Sequence, residues 1–189
     1  MQSIPLQPEF IIFLKMDFSK GFNVQLATLF GIGRIPGGGT WASLIVLLIA
    51  LYEQNAETAS FLAFFSLIIG PGAYKKLTAL FESEDPKEYV LDEVIGMGIA
   101  ISGVYIFTSI FDQFSFNLIE SLSATSELFI LTFIVFRFFD ISKIGPVGWV
   151  ESNPKEKAYN RVIGDDIMAA LLSIIVVIIF LSVNLCVMQ

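Results

Sequence analysis

The chain has 189 residues, 55% of them hydrophobic and only 15% charged, with 19 Phe, a mean hydropathy of +0.76 and a net charge of −7. Soluble domains carry about a quarter charged residues, so the composition points to a bilayer, and the negative balance excludes nucleic acid as a partner, since that needs clustered Lys and Arg. The absence of His excludes phosphohistidine chemistry, His-assisted nucleophiles and His-ligated zinc, and the single Cys, Cys186, excludes an intrachain disulfide and lies in an apolar tail with nothing to depress its pKa.

Residues 1–25 mix Pro5, Pro8, acids and lysines around an apolar patch, 10–14, too short to span and without the flanks of a cleavable signal; it is read as an interfacial helix. Five Gly and one Pro then fall within residues 31–39, a loop that delivers its end to a helix start, with Thr40 or Ser43 as candidate caps. The first apolar run covers 44–52. The second, 59–73, contains Gly70-Pro71-Gly72, expected to kink or end it, and is followed by a polar, helix-like stretch to Leu91. The third run, 94–111, is long enough to cross, the fourth, 128–139, is short, and 141–164 reads as a loop with Gly145, Pro146, Gly148 and Pro154. The last, 167–188, has 22 residues without a charge, against the ~20 that a span needs.

These runs predict an all-α, polytopic helical bundle of one domain, with five crossings, or four if a short run is buried or re-entrant. All 11 Lys and Arg lie at Lys15, Lys20 and Arg34, at Lys75, Lys76 and Lys87, or between Arg137 and Arg161, whereas 53–58 and 112–126 hold none. With the N-terminus inside and five crossings, the three cationic segments share the cytoplasmic side.

Asp92 and Glu93 then stand at the cytoplasmic start of the third run, Arg137 and Asp140 at the end of the fourth, and Asp165 and Asp166 at the start of the fifth. Each acidic pair alone reads equally well as a helix-start acid favoured by the macrodipole. Two pairs with Asp140 at one leaflet, beside Arg137 and Lys143, are better read as a metal or phosphate site. Oxygen-only ligands at this density suit Mg²⁺, with substrate phosphate completing the shell. Arg137 would grip phosphate as a fork and Lys143 as a point charge, though cations at this depth also serve as headgroup anchors.

Four blocks in order resemble the phosphatidylglycerophosphatase A family over roughly residues 30–170. Gly39-Thr40 with Ser43 is similar to its Pro-Gly-Thr-x-Gly-Ser loop, Asp92-Glu93-Val94-Ile95-Gly96 to its Asp-Glu-x-x-Gly block, Phe136-Arg137 through Asp140 and Lys143 to its Phe-Arg-x-x-Asp-x-x-Lys-Pro block, and Asp165-Asp166 with Ala169 to its Asp-Asp-x-x-Ala block. The chain departs at Gly38 in place of Pro, with shorter Pro spacing before it, at Ala42 in place of Gly, and at Ile144 in place of Pro.

The resemblance implies a bacterial inner-membrane enzyme that hydrolyses phosphatidylglycerophosphate to phosphatidylglycerol, with Mg²⁺ and membrane lipids around it. Asp92, Glu93, Asp165 and Asp166 are then assigned to metal binding or general base work, and Asp140 to metal binding or nucleophilic attack. Arg137 and Lys143 are assigned to substrate phosphate, supported by Thr40 and Ser43. Two other readings stand beside it: a non-enzymatic cation-binding membrane protein or transporter, and a phosphatase of another lipid phosphate.

Overall fold

In apolar surroundings a chain satisfies its backbone N–H and C=O groups most simply within helices. The computed structural model, which describes residues 21–114 and 125–187, has no strand among the described residues. Its helices are α1 (Phe22–Ala27), α2 (Gly38–Glu53), α3 (Glu57–Phe81), α4 (Leu91–Phe114), α5 (Thr125–Ser142), α6 (Pro146–Glu151) and α7 (Ala158–Val187), with a 3-10 turn at Ile32–Arg34. The patch at 10–14 and most of the cation-free segment 112–126 lie outside the described residues.

The long helices form an antiparallel bundle. At one end the start of α2 meets the end of α5, where Arg137 donates to Thr40 Oγ1 at 3.1 Å. At the other, Gln54 after α2 donates to Ser126 at the start of α5 at 2.9 Å. Two helices have segments long and apolar enough to cross a membrane, Leu91–Ile110 of α4 and Ala158–Asn184 of α7, and Gly38–Glu53 is a shorter apolar helix.

Helix α4 is the centre, packing against α2, α3, α5 and α7. Val94, Ile95, Met97, Ala100, Ile101 and Val104 are all buried. What lets four helices close around it is the absence of side chains at three positions. A Cβ on Gly96 would lie 2.8 Å from the Phe136 ring, one on Gly98 2.6 Å from the Ala59 carbonyl oxygen, and one on Gly103 2.3 Å from Ile174. The facing side of α3 is correspondingly small, with Ala59, Ala63, Ser66, Gly70 and Ala73 buried, the pattern by which helix backbones approach closely.

Several local expectations are corrected. Helix α3 runs through Gly70-Pro71-Gly72 to Phe81. Pro71 is exposed, so the N–H that it lacks is missing on an outer face. The polar stretch after it is not helical up to Leu91: Glu82 ends the helix in the left-handed region (φ 51°), and Ser83 and Pro86 turn the chain, accepting from the N–H groups of Asp85 and Tyr89. Neither Thr40 nor Ser43 caps α2, because the helix already begins at Gly38 after Gly37 in the left-handed conformation (φ 74°). Within the expected loop 141–164, α6 forms with Pro146 in its first turn, and α7 begins at Ala158, well before the last charge-free run.

Away from the ends, the outside of the bundle is apolar: Leu48, Phe61, Phe64, Ile68, Ile106, Ile130, Ile134, Ile175 and Ile179 are all exposed. Stability therefore depends on close helix contact as well as on burial from water. The substitution Gly98→Ala is expected to destabilise by about 1–3 kcal/mol through overpacking, whereas Gly72→Ala, with nothing within 4 Å of the new Cβ, should stabilise by up to about 1 kcal/mol. Thermal midpoints of the detergent-purified variants check both.

Candidate active site

Three elements bring their acids to one end of the bundle for three different local reasons. Asp92 and Glu93 occupy the first turn of α4, where the free N–H groups favour negative charge. Asp140 lies in the last turn of α5, three residues after Arg137. Asp165 and Asp166 lie roughly two turns inside α7, which has no acid in its first turn. The helix-start explanation therefore holds for Asp92-Glu93 and fails for Asp165-Asp166. These two are only 6% and 3% exposed, in a helix interior that offers them no free backbone N–H at a terminus.

Arg137 and Lys143 thread through these acids. Arg137 Nη1 pairs with Glu93 Oε2 and lies 2.8 Å from Asp140 Oδ2, while Nη2 reaches Thr40. Lys143 Nζ pairs with Asp165 Oδ2 and lies 3.2 Å from Asp140 Oδ1. Both oxygens of Asp140 thus face a cation. Burial acts to lower the Lys143 pKa, but Asp165 and Asp140 outweigh it and hold the ammonium above its ordinary value, so it stays charged throughout the neutral range. Lys143 is itself fixed by a left-handed turn (φ 50°) that ends α5 and by α6, whose Gly148 leaves no room for a Cβ, 2.4 Å from the Lys143 carbonyl oxygen.

Ser43 is fully buried behind the row. Its hydroxyl lies 2.9 Å from the Gly39 carbonyl oxygen and 3.2 Å from Glu93 Oε2, and its single proton can serve either. Gly39 is required here, since a Cβ would come within 2.0 Å of Glu93 Oε1.

One oxygen from each of Glu93, Asp140 and Asp166 lies within 4.8 Å of the others. Asp166 Oδ1 is buried without a hydrogen-bond partner. Asp92 and Asp165 flank this trio, each with one oxygen accepting from the backbone N–H of the next residue at 3.0 Å. All five carboxylates line one cleft of about 500 Å³, together with Lys143, Arg161 and Tyr89. Burial first, then the Asp92 carboxylate, push the Tyr89 phenol above its ordinary range. A second cleft, lined by the glycine-rich turn, Thr40 and Arg137, shares Gly39, Lys87 and Glu93 with the first.

The nine predicted site residues are thus brought together, with Thr40 on the second cleft and Ser43 supporting from behind. Sequence reasoning missed Tyr89, Lys87, Arg161 and Arg34 on the cleft walls. Residues 82–90 belong to the stretch that reads as polar and helix-like, which hides the turn that carries Lys87 and Tyr89 into the site. The acids lie at a bundle end, where a carrier's cation site would sit near the middle.

The sequence model of the family described as Phosphatidylglycerophosphatase A matches residues 25–181. The chain is also 31% identical over 160 residues to a Phosphatidylglycerophosphatase A of Haemophilus influenzae (strain ATCC 51907 / DSM 11121 / KW20 / Rd), covering 80% of this chain and 84% of that protein. No solved structure matches. The matched region contains every residue of the carboxylate row, and the chain is a phosphatase that belongs to the phosphatidylglycerophosphatase A family.

Proposed function

We propose that the protein is a Mg²⁺-dependent phosphatase that cleaves the phosphomonoester of phosphatidylglycerophosphate, giving phosphatidylglycerol and phosphate, at the cytoplasmic face of a bacterial inner membrane. The observation that carries this reading is the trio of Glu93, Asp140 and Asp166 with its oxygens inside 4.8 Å, in a chain whose family and relative bear the name of that activity.

The donor set fits Mg²⁺. It is made of oxygen alone, it includes a buried oxygen of Asp166 that lacks a partner, and its five carboxylates are offset by only two cations. Glu93, Asp140 and Asp166 would hold the ion, with Asp92 and Asp165 beside them. When bound, Mg²⁺ supplies positive charge that polarises a phosphoryl group and acidifies water. The remaining work belongs to the chain's own side chains. Arg137 and Lys143 bracket the carboxylate row and present N–H donors to phosphoryl oxygens, the guanidinium as a fork that gains charge-assisted hydrogen bonds as negative charge builds. Thr40 and Ser43 keep that fork and the Glu93 carboxylate in place.

The membrane setting is supported by the apolar outer faces of the bundle and by α4 and α7. Five long helices, α2 to α5 and α7, make the five crossings, and the cation-rich end that carries the acids is the cytoplasmic one. Trp41 and Trp149, the two tryptophans, are exposed beside Thr40 and on α6, at the level where indole rings favour the headgroup layer.

Phosphate release from phosphatidylglycerophosphate by the detergent-purified protein, with Mg²⁺ or with chelator, tests this reading; equal rates in both, or none in either, would refute it. Asp166→Asn and Asp140→Asn should each lower kcat on the order of 10²–10³-fold, and Arg137→Lys should lose at least about tenfold, because the fork is gone although the charge stays. Gly39→Ala should cut activity by a similar factor, since the new Cβ would displace the Glu93 carboxylate from its place beside Arg137 and Ser43.

A further inference from the structure

The second cleft, about 660 Å³, lies across Glu93 and Gly39 from the carboxylate row and carries the opposite charge character. Its walls include Arg34, Lys87 and Arg137, with Glu88 and Glu93 as the acids. Arg137 and Glu93 are already paired with each other. Arg34 and Lys87 are not: neither forms an ion pair or a side-chain hydrogen bond among the described residues, although the chain has 18 acids for 11 basic side chains. Arg34 Nε is buried without an acceptor, which is costly for a donor unless something supplies one. The other cationic side chains on the two clefts, Arg137, Lys143 and Arg161, all have carboxylate partners. The start of α2 opens on the same cleft through Gly37, Gly38, Gly39 and Thr40, with no side chain capping its N–H groups.

We infer that this cleft is a second anion subsite, in which Arg34 and Lys87 bind the phosphodiester that the substrate keeps while its phosphomonoester lies against the carboxylate row. The inference rests on the substrate proposed above, a lipid with two phosphate groups on one glycerol. Two phosphates joined by a short linker match two clefts that meet at a shared wall of Gly39 and Glu93. A lipid with a single phosphate can fill only one of them, so Arg34 and Lys87 are specificity determinants that touch the substrate.

The product, phosphatidylglycerol, retains the diester and lacks the monoester, which makes it the probe of this subsite. Its short-chain dihexanoyl form is titrated into the detergent-purified full chain with chelator present, and inorganic phosphate is titrated in parallel. Arg34→Gln and Lys87→Gln should each weaken phosphatidylglycerol binding roughly tenfold, the scale of a lost charge-assisted contact. Lys87 is exposed, so K87Q should keep the wild-type thermal midpoint and guards against a folding defect in R34Q. Unchanged affinity in the double variant, absence of phosphatidylglycerol binding by the wild type, or a loss confined to inorganic phosphate would each overturn the subsite. Wild-type protein that binds phosphatidylglycerol through both side chains yet releases no phosphate from phosphatidylglycerophosphate would support the subsite and refute the proposed reaction.

Discussion

The ion pairs of Arg137 and Lys143 with the buried carboxylates are the interaction on which the functional end of the bundle depends. Taking an ionised carboxylate out of water costs several kcal/mol even after relaxation, and Arg137 and Lys143 offset that cost for Glu93, Asp140 and Asp165. Here three acid-bearing helices, α4, α5 and α7, bring five such groups together, and each of the two cations bridges acids on different helices. Arg137 ties α5 to the start of α4, and Lys143, just past the end of α5, ties it to the interior of α7. Removing either cation would leave uncompensated charge on two helices at once. The pairs therefore fix the relative positions of helices whose outer faces are apolar and carry little positional information of their own.

That arrangement is possible because α4 has glycine where its neighbours must come close. Gly96 lies under the Phe136 ring and 3.0 Å, measured from a Cβ placed on it, from Asp166 Cβ. A side chain at Gly96 would push α5 and α7 outward and with them Arg137 and Asp166. The glycine that reads as part of an Asp-Glu-x-x-Gly block is thus a packing requirement of the site. The Phe before Arg137 has the same explanation, since Phe136 is fully buried against that glycine.

Much of this was legible in the sequence, and the parts that were not share a cause. Charge in an apolar chain is conspicuous, so the acids, Arg137 and Lys143 stand out, and the spacing of apolar runs is enough to bring them to one end. What composition conceals is where a helix begins when its first turns are polar. Tyr159, Asn160, Arg161 and Gly164 read as loop, yet α7 starts at Ala158 because Ile163 and its neighbours find buried sites. The reverse error occurs at 82–90, where helix-compatible residues are turned by Ser83 and Pro86. Gly70-Pro71-Gly72 does not end α3 because the N–H that proline lacks is missing on an outer face, information that only the packed bundle contains. Arg34 and Lys87 look like ordinary surface cations until the turn and the start of α2 fold around them.

The two clefts share Gly39 from α2, Glu93 from α4 and Lys87 from the turn before it, with Arg137 on the second cleft pairing with Glu93. Charge placed in either space acts on the same Glu93–Arg137 pair. With both spaces filled as proposed, their occupants would be linked thermodynamically, and linkage is reciprocal: whatever one does to the affinity of the other is returned by the same factor. Under the proposed binding mode the two clefts would act as a single two-part receptor, in which a ligand's two ends are sensed jointly.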